Sequence, residues 1–312
     1  LINSACYNQT MNPENHFSSS ETSSTSWDDL QNIKFSGEQP KNPNPNSDAK
    51  TIEKSSIITT SPNRTCNWYL REIENLGHLE NLKSFIADAT SRTYEDLNSP
   101  QKLDDFCTSY NSKIIPLLTH EAKSTIKHYS GLGYKAINQV ARGFWDYEIL
   151  GRQTPEKLAQ AQQDIKNLSQ IITSLPPLNT NLTTYRGTNL DTFRGYQIEN
   201  LSELKNLEHN FFLETGFTST SLSRDANFAN HQFGDPLRKP CNIEIKYLLT
   251  SENDNCVGLL SDDLSYSKNE HEILFNRDNL SYISKVQIDQ DHNRAFLEML
   301  LLPVHIYDPA HP

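Results

Sequence analysis

Nothing in this chain approaches the ~18–20 consecutive apolar residues that a membrane-spanning helix needs, so no transmembrane helix is expected. No secretory signal opens it: Leu1-Ile2-Asn3-Ser4 leads straight into polar sequence, without a basic stretch followed by an apolar one. It begins at Leu rather than Met, which reads as a truncated or processed product, and Asp308-Pro309-Ala310-His311-Pro312 is no lipidation or GPI tail. Positive charge is in deficit: 28 Lys and Arg stand against 39 Asp and Glu, a net charge of -11. That balance argues against a basic nucleic-acid footprint and against docking on anionic lipid. The five cysteines (Cys6, Cys66, Cys107, Cys241, Cys256) are scattered and form no CxxC pair. A zinc site is therefore not expected, and they read as free, mostly buried thiols. Hydrophobic residues make up only 35% of the 312 residues, below the usual range for a globular chain, so part of the chain is expected to be unpacked. No internal repeat is present.

The unpacked part is expected at the front. Residues 1–62 carry runs such as Phe17-Ser18-Ser19-Ser20 and Asn42-Pro43-Asn44-Pro45-Asn46, a composition that buries too little apolar area to offset ordering entropy. They read as a disordered Ser/Asn-rich leader, either a secretion leader or a plain linker. From Asn67 the period becomes helical. Leu79, Leu82, Phe85 and Ile86 form a stripe, Pro100 opens a helix carrying Leu103, Phe106 and Cys107, and Thr119-His120-Glu121-Ala122 resembles a capped start. Gly131 and Gly133 break that helix, Tyr134–Arg142 restarts it, and Pro155–Ser174 is the longest periodic run, ending before Pro176-Pro177. The period then shifts towards two. Strands are expected over 181–186, 217–222, 241–248, 271–275, 281–288 and 301–307. Helices followed by strands, rather than alternating with them, predict an α+β domain.

Gly131-Leu132-Gly133-Tyr134-Lys135-Ala136 fits the GxGxxA dinucleotide pattern on paper. A phosphate-binding turn of that kind needs a strand immediately before it, and the preceding sequence is helical and polar. Three other features carry more together than apart. Tyr185-Arg186-Gly187 ends a strand; an Arg there can take a phosphate in its planar fork, and Gly187 lets a planar ligand approach the backbone. Taken alone, a strand-end arginine is usually a surface residue. In Phe217-Thr218-Ser219-Thr220-Ser221, strand alternation sets Ser219 and Ser221 on one face and Thr220 on the other. Taken alone this is a Ser/Thr-rich edge strand. Glu270-His271-Glu272 leads into Ile273-Leu274-Phe275. Extended geometry would put both carboxylates on one side, about 7 Å apart at the backbone, with His271 on the other side in solvent.

The order Arg186, Ser219, Glu272 resembles the mono-ADP-ribosyltransferases of the Arg–Ser–Glu (ExE) class, which include bacterial toxins and effectors and vertebrate arginine-specific ecto-enzymes. Tyr129-Ser130-Gly131 followed by Tyr134-Lys135-Ala136-Ile137-Asn138 is similar to that family's opening helix pair. The resemblance covers roughly residues 111–308. It implies an ADP-ribosyltransferase fold, N-terminal helices followed by a two-sheet, mainly antiparallel β core. The division it implies is a leader over 1–62, a helical extension over 63–110 and a catalytic domain over 111–312.

By the same resemblance NAD is the co-substrate and no metal is needed. Arg186 holds the NAD⁺ phosphates, the Gly187 backbone bonds the nicotinamide amide, and Ser219 orients Glu272, with Thr220 and Ser221 supporting the strand. Tyr134 lies along the phosphates, and Phe228 or Phe233 stacks on nicotinamide. Glu272 is the catalytic glutamate, Glu270 the acceptor-side one, and Tyr266 meets the protein substrate. In the family, Glu at the first acidic position goes with arginine acceptors. The chemistry suits these roles. Nicotinamide leaves as a neutral group, so no general acid is required, and a carboxylate can stabilise the oxocarbenium-like ribose. A second carboxylate can hold a guanidinium, whose pKa above ~12 makes it a poor nucleophile. The implied protein is a monomeric toxin or effector, secreted or injected into a host cell, modifying arginine on a host protein. An NAD glycohydrolase of the same fold and a catalytically inert binding module are the alternatives. The missing signal peptide and tail count against a vertebrate ecto-enzyme.

Overall fold

Local chemistry sets where the helices begin. A computed structural model describes residues 66–75, 77–143, 155–196, 198–224, 241–266 and 270–307. The expected leader over 1–62, and Phe228 and Phe233, lie outside the described residues. Helices α1 (Cys66–Asn75) and α2 (Leu79–Ser91) come first, and α2 buries Leu82, Ile86 and Ala89 at spacings of four and three. Helix α3 (Pro100–Ile114) starts where the Ser99 side chain accepts from Lys102 N and Pro100 occupies a position that needs no N–H. Thr119 caps α4 (His120–His128) by accepting from Ala122 N. The glycines do not simply break that helix. A π-helical turn over Tyr129–Gly133, kinked at Gly131 (φ -95°, ψ -111°), runs into α5 (Tyr134–Ala141). Helix α6 spans Pro155–Ser174 and buries Ala161, Ile165, Leu168 and Ile172.

The strands are β1 (Leu182–Thr188), β2 (Phe211–Glu214), β3 (Thr218–Ser221), β4 (Ile243–Leu249), β5 (Cys256–Leu259), β6 (Glu272–Phe275), β7 (Asn279–Asp289) and β8 (Arg294–Leu301). They form one eight-stranded sheet in the order β2-β7-β8-β4-β1-β3-β6-β5. Strands β4 and β8 run parallel and the other pairings are antiparallel. The two expected sheets are hydrogen-bonded into one. Its halves meet where β1 and β3 share the single register pair Tyr185↔Ser221, against seven pairs between β1 and β4.

The strand expected over 301–307 is corrected. Strand β8 ends at Leu301, and Val304–Tyr307 is a helical turn, α7. Pro303 has no N–H for a ladder, and its carbonyl instead accepts from Ile306 N at 3.0 Å. The burial of strand β8 alternates from Arg294 to Met299 and becomes continuous over Met299–Leu301, where both faces are covered. Leu297, Met299 and Leu301 belong to one apolar cluster and Leu300 to another.

Those two clusters are the core. The larger packs α3 to α6 (Tyr110, Ile126, Ile165, Leu168, Ile172) on one face of the sheet (Ile245, Leu274, Met299). The smaller packs α1 and α2 (Leu70, Ile73, Leu82, Ile86) with Phe211, Leu280, Tyr282 and Leu300 on the other. Each fully buried Leu, Ile or Phe side chain contributes about 1.5–3 kcal/mol. The double cover falls on β2, β4, β7 and β8, through Phe211, Leu248, Leu280, Tyr282 and Leu300 on the second face. Among the described residues, Cys256 is buried and Cys107 and Cys241 are half-buried, and Cys107 and Cys256 are free thiols. Burial raises the Cys107 thiol to about 11. No helix of the described residues is long and apolar enough to cross a membrane.

Candidate active site

The junction of β1, β3 and β6 brings Arg186, Ser219 and Glu272 together. Glu272 opens β6 directly opposite Ser221 of β3, and it is only 6% exposed. Burial pushes its carboxyl up to about 7. A hydrogen bond with Ser219 pulls the other way, the nearby Glu270 charge raises it further and Arg186 lowers it. Ser219 itself is exposed. Arg186 lies on β1 with Nη1 reaching the Ser219 carbonyl at 3.5 Å. Gly187 follows it, in register with Glu244 of β4. A cation, a hydroxyl and a desolvated carboxylate thus share one corner, while the Thr220 and Ser221 hydroxyls are engaged by backbone. Thr220 Oγ1 donates to Ile273 O at 2.9 Å, and Ser221 Oγ donates to Glu270 O at 2.6 Å.

The strand alternation expected across Glu270-His271-Glu272 does not reach Glu270. Strand β6 begins at Glu272, and His271 takes φ 43°, a left-handed conformation uncommon outside glycine. The two carboxylates therefore reach each other through a turn rather than through the pleat. The Ser221 hydroxyl on Glu270 O and Leu222 N on His271 O, at 3.0 Å, hold that turn. Nor is His271 a solvated side chain: it is half-buried, and its Nδ1 is enclosed with no hydrogen-bond partner among the described residues.

Tyr134 opens α5 and is 43% exposed; the Lys135 ammonium lies 5.9 Å from its ring centroid. Tyr266 is 67% exposed, with its backbone N donating to Ser130 Oγ at 3.3 Å.

Two further residues meet this corner without having been assigned a role from sequence. The Tyr129 ring is 1% exposed. Burial raises its hydroxyl well above the ordinary tyrosine value, and Glu272, Asn138, Ser219 and Arg186 all act on it. Asn138 Nδ2 donates to that hydroxyl at 3.0 Å, while Asn138 Oδ1 accepts from Phe217 N at 2.8 Å. The Tyr129 and Phe217 rings meet edge-on, with centroids 5.5 Å apart. Behind them, Glu214 Oε1 accepts from Arg142 Nε and from Gly216 N, both at 3.0 Å. This chain of contacts ties α4 and α5 to the entry of β3, and so to Ser219. Both residues stand in the Tyr-Ser-Gly and Tyr-x-x-Ile-Asn motifs, which was the available signal. Among the described residues, no group of His, Cys, Asp and Glu could hold a metal ion.

The family model described as ADP-ribosyltransferase exoenzyme matches residues 101–303, a span that holds every site residue named above. Among solved structures, C3stau2 from S. aureus with NAD is 17% identical at a TM-score of 0.51, covering 68% of this chain and 100% of its own. Plx2a, an ADP-ribosyltransferase toxin from Paenibacillus larvae, is 22% identical at 0.51, with 66% and 98% covered. BECa, an ADP-ribosylating toxin of a binary enterotoxin of C. perfringens, solved with NADH, is 16% identical at 0.52, with 68% and 50% covered. At such identities the likeness is one of fold. No curated protein sequence matches the chain.

Proposed function

Because the chain belongs to the ADP-ribosyltransferase exoenzyme family, and hence to a class of NAD-dependent transferases, we propose that it moves ADP-ribose from NAD⁺ to an arginine of a host protein. The observation that carries this reading is the Glu272 carboxylate, buried beside Ser219, Arg186 and Glu270. Arg186 pairs with the NAD⁺ phosphates through its planar fork, and Gly187 takes the nicotinamide amide. Glu272 faces the ribose. As the bond to nicotinamide lengthens, its charge stabilises the oxocarbenium that develops, and a desolvated carboxylate does so more strongly than one in water. Ser219, through its hydrogen bond, orients that carboxylate.

Glu270 then receives the acceptor. Paired with a guanidinium, it holds the nucleophile at attack distance and takes up a proton as the new bond forms. Tyr266, standing out into solvent, meets the protein around that arginine. The protein acts as a secreted or injected toxin, with the Ser/Asn-rich leader lying outside the chemistry.

The test incubates the full chain with labelled NAD⁺ and a host-cell lysate. Nicotinamide release is followed, and the modified side chains are mapped by mass spectrometry. Label on arginine supports the reading. Nicotinamide release without any labelled protein replaces it with a glycohydrolase, and no release at all replaces it with an inert binding module.

A further inference from the structure

Tyr266 belongs to a segment that rests on the kink between α4 and α5, and the contacts are specific. Lys127 Nζ donates to Asp262 O at 2.8 Å and lies 5.4 Å from the Tyr266 ring centroid. Ser130 Oγ accepts from Tyr266 N at 3.3 Å and lies 3.2 Å from Leu264 O, to which it can donate. Gly131 lies under the ring. A Cβ on Gly131 would fall 2.7 Å from Tyr266 Cε2 and 2.8 Å from Cδ2, a distance at which the ring has to move. Its φ of -95° and ψ of -111° also depart from the helix on both sides, so the kink and the close approach are one feature. Residues Asp262 to Tyr266 are thus held at three points by Lys127, Ser130 and Gly131.

On the other side of this segment Leu264 is fully buried in the larger apolar cluster. There a cavity of about 500 Å³ opens towards α3, lined by Asp104, Cys107 and Asn111 together with Ser261, Asp262 and His271. Asn111 Nδ2 on Leu260 O, at 2.8 Å, ties down only the start of the segment. The buried Leu264 fixes the middle of the segment, while the contacts from the kink fix its exposed end at Tyr266.

We propose that Ser130 and Gly131 are positioning residues for the acceptor. They set where the Asp262–Tyr266 segment stands, and thereby how a protein substrate is presented to Glu270, without touching NAD⁺ or the reacting atoms. This inference rests on the transferase reading given above. Small acceptors, which need no protein surface, are indifferent to it. Macromolecular ones are not, because misplacing a positioning contact by about 1 Å can cost ~10²-fold.

The experiment uses the full chain as wild type, Gly131→Ala, Ser130→Ala and Ser130→Thr. Three quantities are read: nicotinamide release without acceptor, transfer to agmatine, and kcat and KM for poly-L-arginine. Hydrogen exchange at the Tyr266 amide is followed in parallel. In Gly131→Ala, release and agmatine transfer should stay within about twofold while KM for poly-L-arginine rises about tenfold or more. Ser130→Ala should raise that KM less and speed Tyr266 amide exchange about tenfold; Ser130→Thr, which keeps the hydroxyl, should restore both. Release that falls in step with transfer, an unchanged KM, or unchanged Tyr266 exchange in Ser130→Ala overturns the proposal. A wild type that releases no nicotinamide defeats the transferase reading instead, and the exchange measurement still decides whether Ser130 holds the segment.

Discussion

Asn138 and Tyr129, nine residues apart and on either side of a helix kink, share a 3.0 Å hydrogen bond that is buried. The same Asn138 side chain accepts from Phe217 N at 2.8 Å. Its amide thus spans from the hydroxyl facing Glu272 to the backbone that leads into Ser219.

Replacing it tests that span. Asn138→Ala leaves Phe217 N–H and the Tyr129 hydroxyl without their partner, and each buried group so stranded costs about 1–3 kcal/mol. A loss of about 2–4 kcal/mol in urea unfolding is expected, together with slower nicotinamide release. Asn138→Asp keeps the acceptor for Phe217 N but loses the donor to Tyr129, so it should recover part of the stability. A stability within experimental error of wild type for Asn138→Ala would show that the span is not structural.

The two glutamates should separate by activity. Glu272→Gln removes the charge aimed at the ribose, and both nicotinamide release and arginine transfer are expected to fall ~10²–10³-fold. Glu270→Gln should abolish transfer to arginine yet leave much of the release, since water needs no guanidinium partner. Assaying both reactions in both variants with one arginine-bearing acceptor decides it. Normal transfer by Glu270→Gln would remove the basis for arginine specificity.

The pH dependence follows from the Glu272 carboxyl, raised from 4.5 to about 7 by burial. Activity needs the carboxylate, so kcat/KM for NAD⁺ cleavage should rise with pH through an acidic limb near 7. In the complex, the cationic nicotinamide ring favours the charged form, so the limb for kcat should lie lower. Stability runs the opposite way. Between pH 4.5 and about 7 the folded state holds a proton that the unfolded state has released, so stability falls as pH rises through that window. Glu272→Gln should flatten this fall and raise the Tm at pH 8 by a few degrees, readable by calorimetry. A flat kcat/KM profile from pH 5 to 9 would contradict the assignment.

Arg186→Ala should weaken NAD⁺ binding strongly, since a charge-assisted contact to phosphate is worth about 1.5–3 kcal/mol, roughly 10–150-fold in Kd. Arg186→Lys keeps the charge but loses the bidentate fork and should recover only part of the affinity. Titration calorimetry with NAD⁺ distinguishes these outcomes. Equal affinity in wild type and Arg186→Ala would exclude the phosphate role.

What the amino-acid order determined by itself was local in origin. Ser99 before Pro100 and Thr119 before the next apolar run mark helix starts because capping needs only neighbours. The short Ser/Thr-rich run at Phe217–Leu222 marks a strand by its local composition, and β3 spans Thr218–Ser221. Arg186, Ser219 and Glu272 were legible as a set through their order and through the family that order resembles. Tertiary packing decided what depends on remote neighbours. Strand β8 ends on Met299, Leu300 and Leu301, buried on both faces by two different clusters, so a period of two does not mark its end. The turn at His271, not the pleat, joins Glu270 to Glu272, because β6 starts at Glu272, two residues after Glu270. The Glu272 carboxyl is raised because elements far apart in sequence exclude water around it. Desolvation is a property of the assembled surroundings, so no window of sequence around Glu272 contains it. Tyr129 and Asn138 were visible as letters of a motif, but only the folded chain shows that one buried hydrogen bond joins them and that the Glu272 charge acts on the Tyr129 hydroxyl.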